Sequence, residues 1–379
     1  MQKSFSNEIK KPLDDIQVFS IEDKIEGEIL LKKGKVALVV LAGGMGSRLG
    51  SKKPKGLFEI SNIQNKTLFQ ILLEKVFFAE KKYKTQFYIS VMLSNNNKKE
   101  TIDYLEKNSF FGLKKDQIDF IIQEDLPFLD EDKKPLIFNN KEIKGPNGNG
   151  DVFNLLKKLD ILKKYKNKNI DYLNVVSIDN PISDPVNPYL IGALKRYDLD
   201  IAAIAIKRTD EKKSGVFVKE KDQIKIVEYI DLLNEEIERF KYLNANLFCF
   251  KRAFLEENEF TLPLHRAEKN IVLEEKGGKV SKKVFKIEKF LFDIFSYTKK
   301  IGVFLLEKNI CFSPLKDKSS IEKVKRALYQ RDRDILKEFL KKDFDNMLFE
   351  LSFEFYYPNE NTYKKLNKKH LNIEGYIEL

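Results

Sequence analysis

The chain has 379 residues, of which 69 are Lys or Arg and 58 are Asp or Glu, giving a formal net charge of +11. A hydrophobic share of 42% supplies a large core and excludes global disorder, while 34% charged residues give a solvated surface. Two cysteines (Cys249 and Cys311) exclude a disulfide framework or a four-cysteine zinc site, and two histidines (His265 and His370) exclude a histidine-rich metal centre, so any chemistry must run on Lys, Arg, Asp, Glu, Asn and backbone. Residues 1–35 read as an amino-terminal helical arm, with a helix over Ile21–Lys32. The start of the chain lacks an apolar core of signal-peptide length, and no run approaches the roughly 18 apolar residues of a membrane helix. A soluble, cytoplasmic protein is therefore expected. The basic residues are spread along the chain and interleaved with acidic stretches such as Glu235-Glu236-Ile237-Glu238, so neither nucleic acid nor membrane is expected as a partner.

Lys35 to Leu41 is a near-continuous apolar run ending in glycines, the pattern of a central parallel strand covered on both faces. Thr67–Lys82 places Leu68, Phe69, Ile71, Leu72, Val76 and Phe77 at helical spacing. Phe87–Leu93 follows as a second buried strand, Lys98–Lys107 as a second helix, and Phe120–Ile122 as a short strand. Val152–Leu162 reads as a helix entered through a glycine-rich turn. Leu173–Ile178 is a further strand, stopped by Asp179-Asn180-Pro181. Alternating strands and helices imply a Rossmann-like, doubly wound α/β sheet. After Ile201–Ile206 come hairpin-like pieces, Gly215–Val218, Ile224–Tyr229 and Asn246–Phe250, which make the sheet mixed. The tail reads as helical and Lys-rich to Asp343, then Phe-rich and irregular. The expected division is an arm over 1–35, a catalytic domain over 36–315 and a small carboxyl-terminal domain over 316–379.

The strongest feature is Leu41-Ala42-Gly43-Gly44-Met45-Gly46-Ser47-Arg48-Leu49-Gly50, continuing through Pro54-Lys55-Gly56. It leaves a buried strand at its carboxyl end, where open α/β sheets bind ligands. Glycines there let backbone N–H groups approach phosphates. The string lacks the Gly-Lys-Ser/Thr of a Walker loop, and Leu49 and Lys66 fit a dinucleotide fingerprint poorly. Its distinguishing mark is Arg48 and Lys55, two cations beside the glycines, suited to a polyphosphate leaving group. Downstream, Gln123 ends a strand with an amide that can both donate to and accept from a base edge. Asp179 ends another strand; alone it would read as a turn former or helix cap. Glu228 is a carboxylate able to accept two sugar hydroxyls.

These motifs, taken in order, resemble the UTP-dependent sugar pyrophosphorylases, and among them the eukaryotic-type UDP-N-acetylhexosamine pyrophosphorylases. That family writes the loop Leu-Ala-Gly-Gly-x-Gly-Thr-Arg-Leu-Gly, from which Ser47 departs, whereas the related UDP-glucose enzymes carry Asn-Gly-Gly. The resemblance covers residues 36 to 317. It implies nucleotide contacts from Leu41, Ala42, Gly43, Gly44, Gly46, Gln123, Gly148, Asn149 and Asp179. Pro146-Asn147-Gly148-Asn149-Gly150 stands where the family has Asp-Gly-Asn-Gly-Gly, so Asn147 and Asp151 are departures. It further implies sugar contacts from Asn180, Gly215, Glu228 (with Tyr229), Asn246, Phe290 and Phe292, with the alignment at Asn244-Ala245-Asn246 ambiguous. The Phe290–Phe292 segment, by itself a strand or tight helix in the core, borders the N-acetyl group in the family. His265 is expected to be structural or peripheral. Phe312-Ser313-Pro314-Leu315-Lys316 matches the family's Ser-Pro-Leu-Lys, whose lysine reaches the phosphates.

The catalytic set implied is thus Arg48, Lys55 and Lys316, with Asp179 holding Mg²⁺ or Mn²⁺. The expected reaction joins UTP and N-acetylglucosamine 1-phosphate into UDP-N-acetylglucosamine and pyrophosphate on a monomer. The alternatives are the same chemistry on another sugar 1-phosphate, giving UDP-glucose or UDP-N-acetylgalactosamine, and a non-catalytic nucleotide-sugar binder. The chain is short for this family, so a reduced carboxyl-terminal domain is expected.

Overall fold

The computed structural model describes residues 11–14, 16–209, 214–228, 232, 237–275, 278–344, 347–366 and 374–378. At its centre the strand Val36–Leu41 is buried at every position. Its side chains divide by parity, Val36, Leu38 and Val40 entering one hydrophobic cluster and Ala37, Val39 and Leu41 another. Both faces of the strand are therefore covered, which is why its sequence is continuously apolar. The first cluster takes in residues of the helices Ile21–Lys32, Leu68–Tyr83 and Pro188–Arg196, and the second those of Val152–Lys158, Ile161–Asn167 and Arg252–Glu257.

The main path of the sheet runs Gln17–Val18, Ile301–Leu305, Ile201–Lys207, Tyr242–Lys251, Tyr172–Ser177, Val36–Leu41, Tyr88–Leu93 and Ile118–Ile122. Every neighbouring pair is parallel except the two made by Tyr242–Lys251, which runs antiparallel to both flanking strands. The sheet is thus the expected mixed, doubly wound α/β type. From Val36–Leu41 the chain winds outward through two strands, then returns to lay Tyr172–Ser177 on the other side, with Leu41 opposite Ser177. The carboxyl ends of these two strands form the topological switch point, where such sheets open a crevice.

Several elements differ from the sequence-based expectation. The helix expected over Val152–Leu162 is two helices, because Asp160 takes a left-handed φ of 56° and interrupts the first. A helix at Pro188–Arg196, absent from that expectation, is capped by Asn187, whose Oδ1 accepts the N–H groups of Tyr189 and Leu190. His265–Glu275 and Gly278–Glu288 form a long antiparallel hairpin that the expectation does not include. The tail expected to be irregular beyond Asp343 contains paired strands, Phe349–Leu351 and Gly375–Ile377, and a core of Ile335, Leu336, Phe344, Phe349, Leu351 and Phe355. No helix among the described residues is long and apolar enough to cross a membrane.

The helix Ile21–Lys32 starts in a capping box, Ser20 Oγ accepting from the Asp23 N–H and the Asp23 carboxylate from the Ser20 N–H. It crosses Pro188–Arg196 backbone to backbone through Gly27 and Gly192. A Cβ on Gly27 would lie 1.8 Å from the Pro188 carbonyl oxygen, and one on Gly192 would lie 1.8 Å from that of Asp23.

Candidate active site

The glycine loop leaves Leu41 and is shaped by its own hydrogen bonds. Gly46 N–H donates to the Lys53 carbonyl at 2.9 Å and Lys55 N–H to that of Gly44 at 3.1 Å, folding Pro54-Lys55 back beside the glycines. Gly50, at φ 75°, closes the short turn Ser47–Leu49 that carries Arg48. Asn97 braces the loop from beneath. It is 1% exposed, donates to the Ala42 carbonyl at 2.8 Å and accepts from the Ser94 N–H. Sequence reasoning missed Asn97, which only a long-range contact reveals.

Lys55, 9% exposed, reaches across the switch point to Asp179, with Nζ 3.1 Å from Oδ2. The other Asp179 oxygen accepts the Ser177 hydroxyl at 2.8 Å. The Asp179 carbonyl in turn accepts the Leu315 N–H at 2.7 Å, which seats the Ser-Pro-Leu-Lys segment against the strand end. Asn180, expected at the sugar, commits its carboxamide to that same segment: Nδ2 donates to the Cys311 carbonyl at 2.7 Å and Oδ1 accepts the Ser313 N–H at 3.0 Å. Lys316 emerges from this segment, its own N–H held by Ser320 Oγ at 2.9 Å. Lys318, not singled out from the sequence, lies over the glycine loop, its Nζ 2.9 Å from where a Cβ on Gly50 would stand.

Gly43 has a specific packing reason to lack a side chain. A Cβ there would fall 1.9 Å from Nε2 of Gln123, so the glycine lets this 6% exposed amide lie directly over the loop. Beside it, the Asn147–Gly150 turn is clasped to the 289–291 segment. Lys289 N–H donates to the Asn147 carbonyl, Gly150 N–H to that of Lys289, and Leu291 N–H to Asn149 Oδ1 at 2.9 Å. Gly148 takes φ 88° there. The two departures from the family motif are partners of each other: Asn147 Nδ2 donates to Asp151 Oδ2 at 2.9 Å, and Lys289 Nζ caps the same carboxylate at 2.8 Å. Asn147 Oδ1 remains buried with no hydrogen-bond partner among the described residues.

A second group forms where the sheet turns irregular. Opposite Ala203–Ala205 the strand Tyr242–Lys251 bulges, and Asn246 sits in that bulge at φ 54° with its side chain exposed. Bulges re-aim side chains in this manner. Asn244 steadies it, donating Nδ2 to Asn246 Oδ1 at 2.8 Å and accepting the Asn246 N–H at 2.9 Å. The Asn244 N–H donates to the Gly215 carbonyl, and Glu228 Oε1 would touch a Cβ on Gly215 at 3.4 Å, so Gly215, Glu228 and Asn246 are brought together. Tyr229 lies outside the described residues. Phe290 and Phe292 stack with ring centroids 5.1 Å apart, the latter within a 3₁₀ segment Leu291–Tyr297 rather than a strand. His265 packs on Phe290 at 4.7 Å and shares a 2.8 Å hydrogen bond with Asp293.

The electrostatics favour an anion. Lys269, on the hairpin, is held below the usual lysine range by desolvation first, then by Lys286 and Arg48, with Glu288 opposing. Arg48 and Lys269 therefore share one neighbourhood, in addition to the loop lysines. What the arrangement can do is grip phosphates by backbone N–H groups and cations. Among the described residues no cluster of three or more His, Cys, Asp or Glu is positioned to hold a metal, so any divalent ion here would lean on Asp179 and on ligand oxygens, as Mg²⁺ commonly does.

Comparison with known proteins gives a consistent picture. Residues 2–374 match the family model described as UTP–glucose-1-phosphate uridylyltransferase. The Encephalitozoon cuniculi protein named "Probable UDP-N-acetylglucosamine pyrophosphorylase" is 33% identical over 298 residues, covering 77% of this chain and 83% of its own. The Saccharomyces cerevisiae UDP-N-acetylglucosamine pyrophosphorylase is 29% identical over 312 residues, 75% of this chain and 65% of its own. The crystal structure of the Trypanosoma brucei uridine diphosphate N-acetylglucosamine pyrophosphorylase superposes with a TM-score of 0.82 at 22% identity, covering 98% of this chain and 86% of that one, a likeness of fold.

Proposed function

The chain belongs to the UTP–glucose-1-phosphate uridylyltransferase family, within its UDP-N-acetylglucosamine pyrophosphorylase branch, and on that premise we propose that it transfers uridylate from UTP to N-acetylglucosamine 1-phosphate. The observation that carries this reading is the convergence of Lys55, Asp179 and the Lys316 segment on the glycine loop at the switch point.

A phosphate oxygen of the sugar phosphate forms a bond to the α-phosphorus of UTP, and the α–β bridging bond breaks with its electron pair leaving on pyrophosphate. The attacking oxygen is already ionised near neutral pH, so no general base is required. Catalysis is positioning and charge neutralisation. Gln123 reads the uracil edge above Gly43, while Gly44 and Arg48 hold the outer phosphates; Gly46, expected among the nucleotide contacts, instead spends its N–H on the Lys53 carbonyl and shapes the loop. Lys55 follows the charge that builds on the leaving pyrophosphate, and Lys316 holds the α-phosphate or sugar phosphate. Glu228 and Asn246 accept and donate to sugar hydroxyls, and the Phe290–Phe292 stack favours the acetyl methyl over water. Asp179, with one lone pair on each oxygen left beyond Lys55 and Ser177, fits Mg²⁺ or Mn²⁺ bound largely by phosphate and water oxygens. When bound, that ion supplies further neutralisation of phosphate charge.

The test is pyrophosphate release with UTP across a panel of sugar 1-phosphates. The expected result is a rate with N-acetylglucosamine 1-phosphate well above those with glucose 1-phosphate and N-acetylgalactosamine 1-phosphate, abolished by EDTA and restored by Mg²⁺. Binding of UTP without release would refute the transferase reading. A narrower check concerns the base site. Gly43→Ala must displace the Gln123 amide yet meets only the flexible end of that side chain, so the fold should survive. UTP affinity measured by calorimetry should fall by roughly three- to tenfold, the worth of one hydrogen bond, and unchanged affinity would remove Gln123 from the base site.

A further inference from the structure

Lys75, on the helix Leu68–Tyr83, is 1% exposed, yet neither the glycine loop nor the pocket beside it makes use of it. Its Nζ donates to the carbonyls of Pro181 at 2.6 Å and Ser183 at 2.9 Å. These residues form the turn that begins directly after Asp179-Asn180. The same turn is tied to itself by Ser183 Oγ, which donates to the Asn180 carbonyl at 2.8 Å. From the other side the carboxyl-terminal module closes over Lys75: the rings of Phe353 and Tyr356 lie 5.6 and 5.5 Å from its Nζ. Tyr356 donates to the buried Asp332 at 2.7 Å, and Tyr357 donates to Asp184 at 2.6 Å. Two main-chain carbonyls that would otherwise be buried without donors thus depend on one lysine. That lysine in turn depends on the module for its enclosure.

We propose that Lys75 is a positioning residue for uridylyl transfer: by holding the Pro181–Ser183 carbonyls it fixes the Asp179–Asn180 turn, and so makes the geometry at Lys55 and Lys316 conditional on the docked carboxyl-terminal module. The inference rests on the transferase reading of the site. The path has no gap. Lys75 grips Pro181 and Ser183, the preceding Asn180 side chain grips Cys311 and Ser313, and the Asp179 main chain grips Leu315, the residue before Lys316. The glycine loop and Gln123 are braced separately, through Asn97 and Leu93. Burial holds the Lys75 ammonium down to about 7, against the pull of Asp184. The two hydrogen bonds do not require the charge, since a neutral amine still donates both protons.

The experiment compares the full chain with Lys75→Met, which keeps the bulk and removes both donors. The expected result is a kcat lower by roughly tenfold to a hundredfold, the scale of a misplaced reacting group, with UTP affinity within twofold of wild type. Independently of activity, amide hydrogen exchange should quicken over residues 177–185 and 311–316 and stay unchanged over 42–56. A folded Lys75→Met protein with wild-type exchange over 177–185, or with wild-type kcat, overturns the inference. Should Lys75→Met fail to fold, Phe353→Leu opens the enclosure from the module side. It should lower kcat and quicken exchange over the same segments, and a wild-type value of either would again overturn the inference. A wild-type chain that releases no pyrophosphate would instead overturn the transferase reading, leaving hydrogen exchange to test the coupling.

Discussion

Lys55→Ala should lower kcat by about 10²–10³-fold in a pyrophosphate-release assay while the protein still melts cooperatively. The size follows from where the ammonium sits. It is largely removed from water and held on Asp179 at 3.1 Å, so it meets a developing phosphate charge without first having to reorganise. The loss should fall on kcat more than on UTP affinity, because the interaction strengthens as the leaving group gains charge. The fold should survive because the Asp179 side chain keeps 24% exposure and the Ser177 hydroxyl, so its charge is not stranded in the core. Arg48→Ala should act in the same direction with a smaller and more salt-dependent effect, since Arg48 lies on an exposed turn where water screens it. Turnover of Lys55→Ala within threefold of wild type would remove Lys55 from the reaction.

Gly27→Ala carries the largest stability effect expected. Alanine is the better helix former by about 1 kcal/mol, so a solvent-facing Gly27 would predict stabilisation. The helix crossing reverses the sign. The new methyl would meet the Pro188 carbonyl oxygen at 1.8 Å and its carbon at 2.6 Å, both backbone atoms with nowhere to go. The two helices must separate, disturbing the Arg196–Asp23 ion pair at 2.5 Å and the first turn of the amino-terminal helix. Overpacking of this kind costs about 1–3 kcal/mol and occasionally more. Urea denaturation should show a lower midpoint with an unchanged slope. Gly192→Ala should do the same, and the double variant should cost less than the sum, because one separation relieves both clashes. A midpoint at or above wild type would show that the helices do not cross at these glycines.

Where the controlling interactions were local, the sequence was readable. The strand Val36–Leu41 announces itself because both its faces are covered, and the loop after it because glycines and cations stand at fixed spacing. Gln123 and Asp179 could be named as strand-end groups. What braces the glycine loop and the turn after Asp179 could not, since Asn97 and Lys75 act on main-chain carbonyls through the fold, and an isolated Asn or Lys carries no pattern. Asn180 shows the reverse problem: its place in the motif suggested the sugar, while its amide is spent on residues more than a hundred positions away. The hairpin of His265–Glu275 and Gly278–Glu288 carried no assignment, because Lys and Glu break up its few apolar residues. The tail misled for a different reason. Its core is assembled from short strands separated by turns, and Phe349 and Ile377 find each other's neighbourhood only through a parallel pairing that periodicity does not register.

The main sheet joins residues made far apart in time. Gln17 and Val18 pair with Phe304 and Leu305, and Lys11 and Pro12 with Lys219 and Val218. On a ribosome adding about 5–20 residues per second, the first of these pairs waits roughly 15–60 s for its partner to be made. In the later part of that interval a nascent chain holds the glycine loop and Asp179, but neither Leu315 to clamp the strand end nor Lys316 beside it. Uridylyl transfer is therefore a property only of chains extended past Lys316, and the contacts that close the fold are among the most distant it contains, which predicts slow, late assembly.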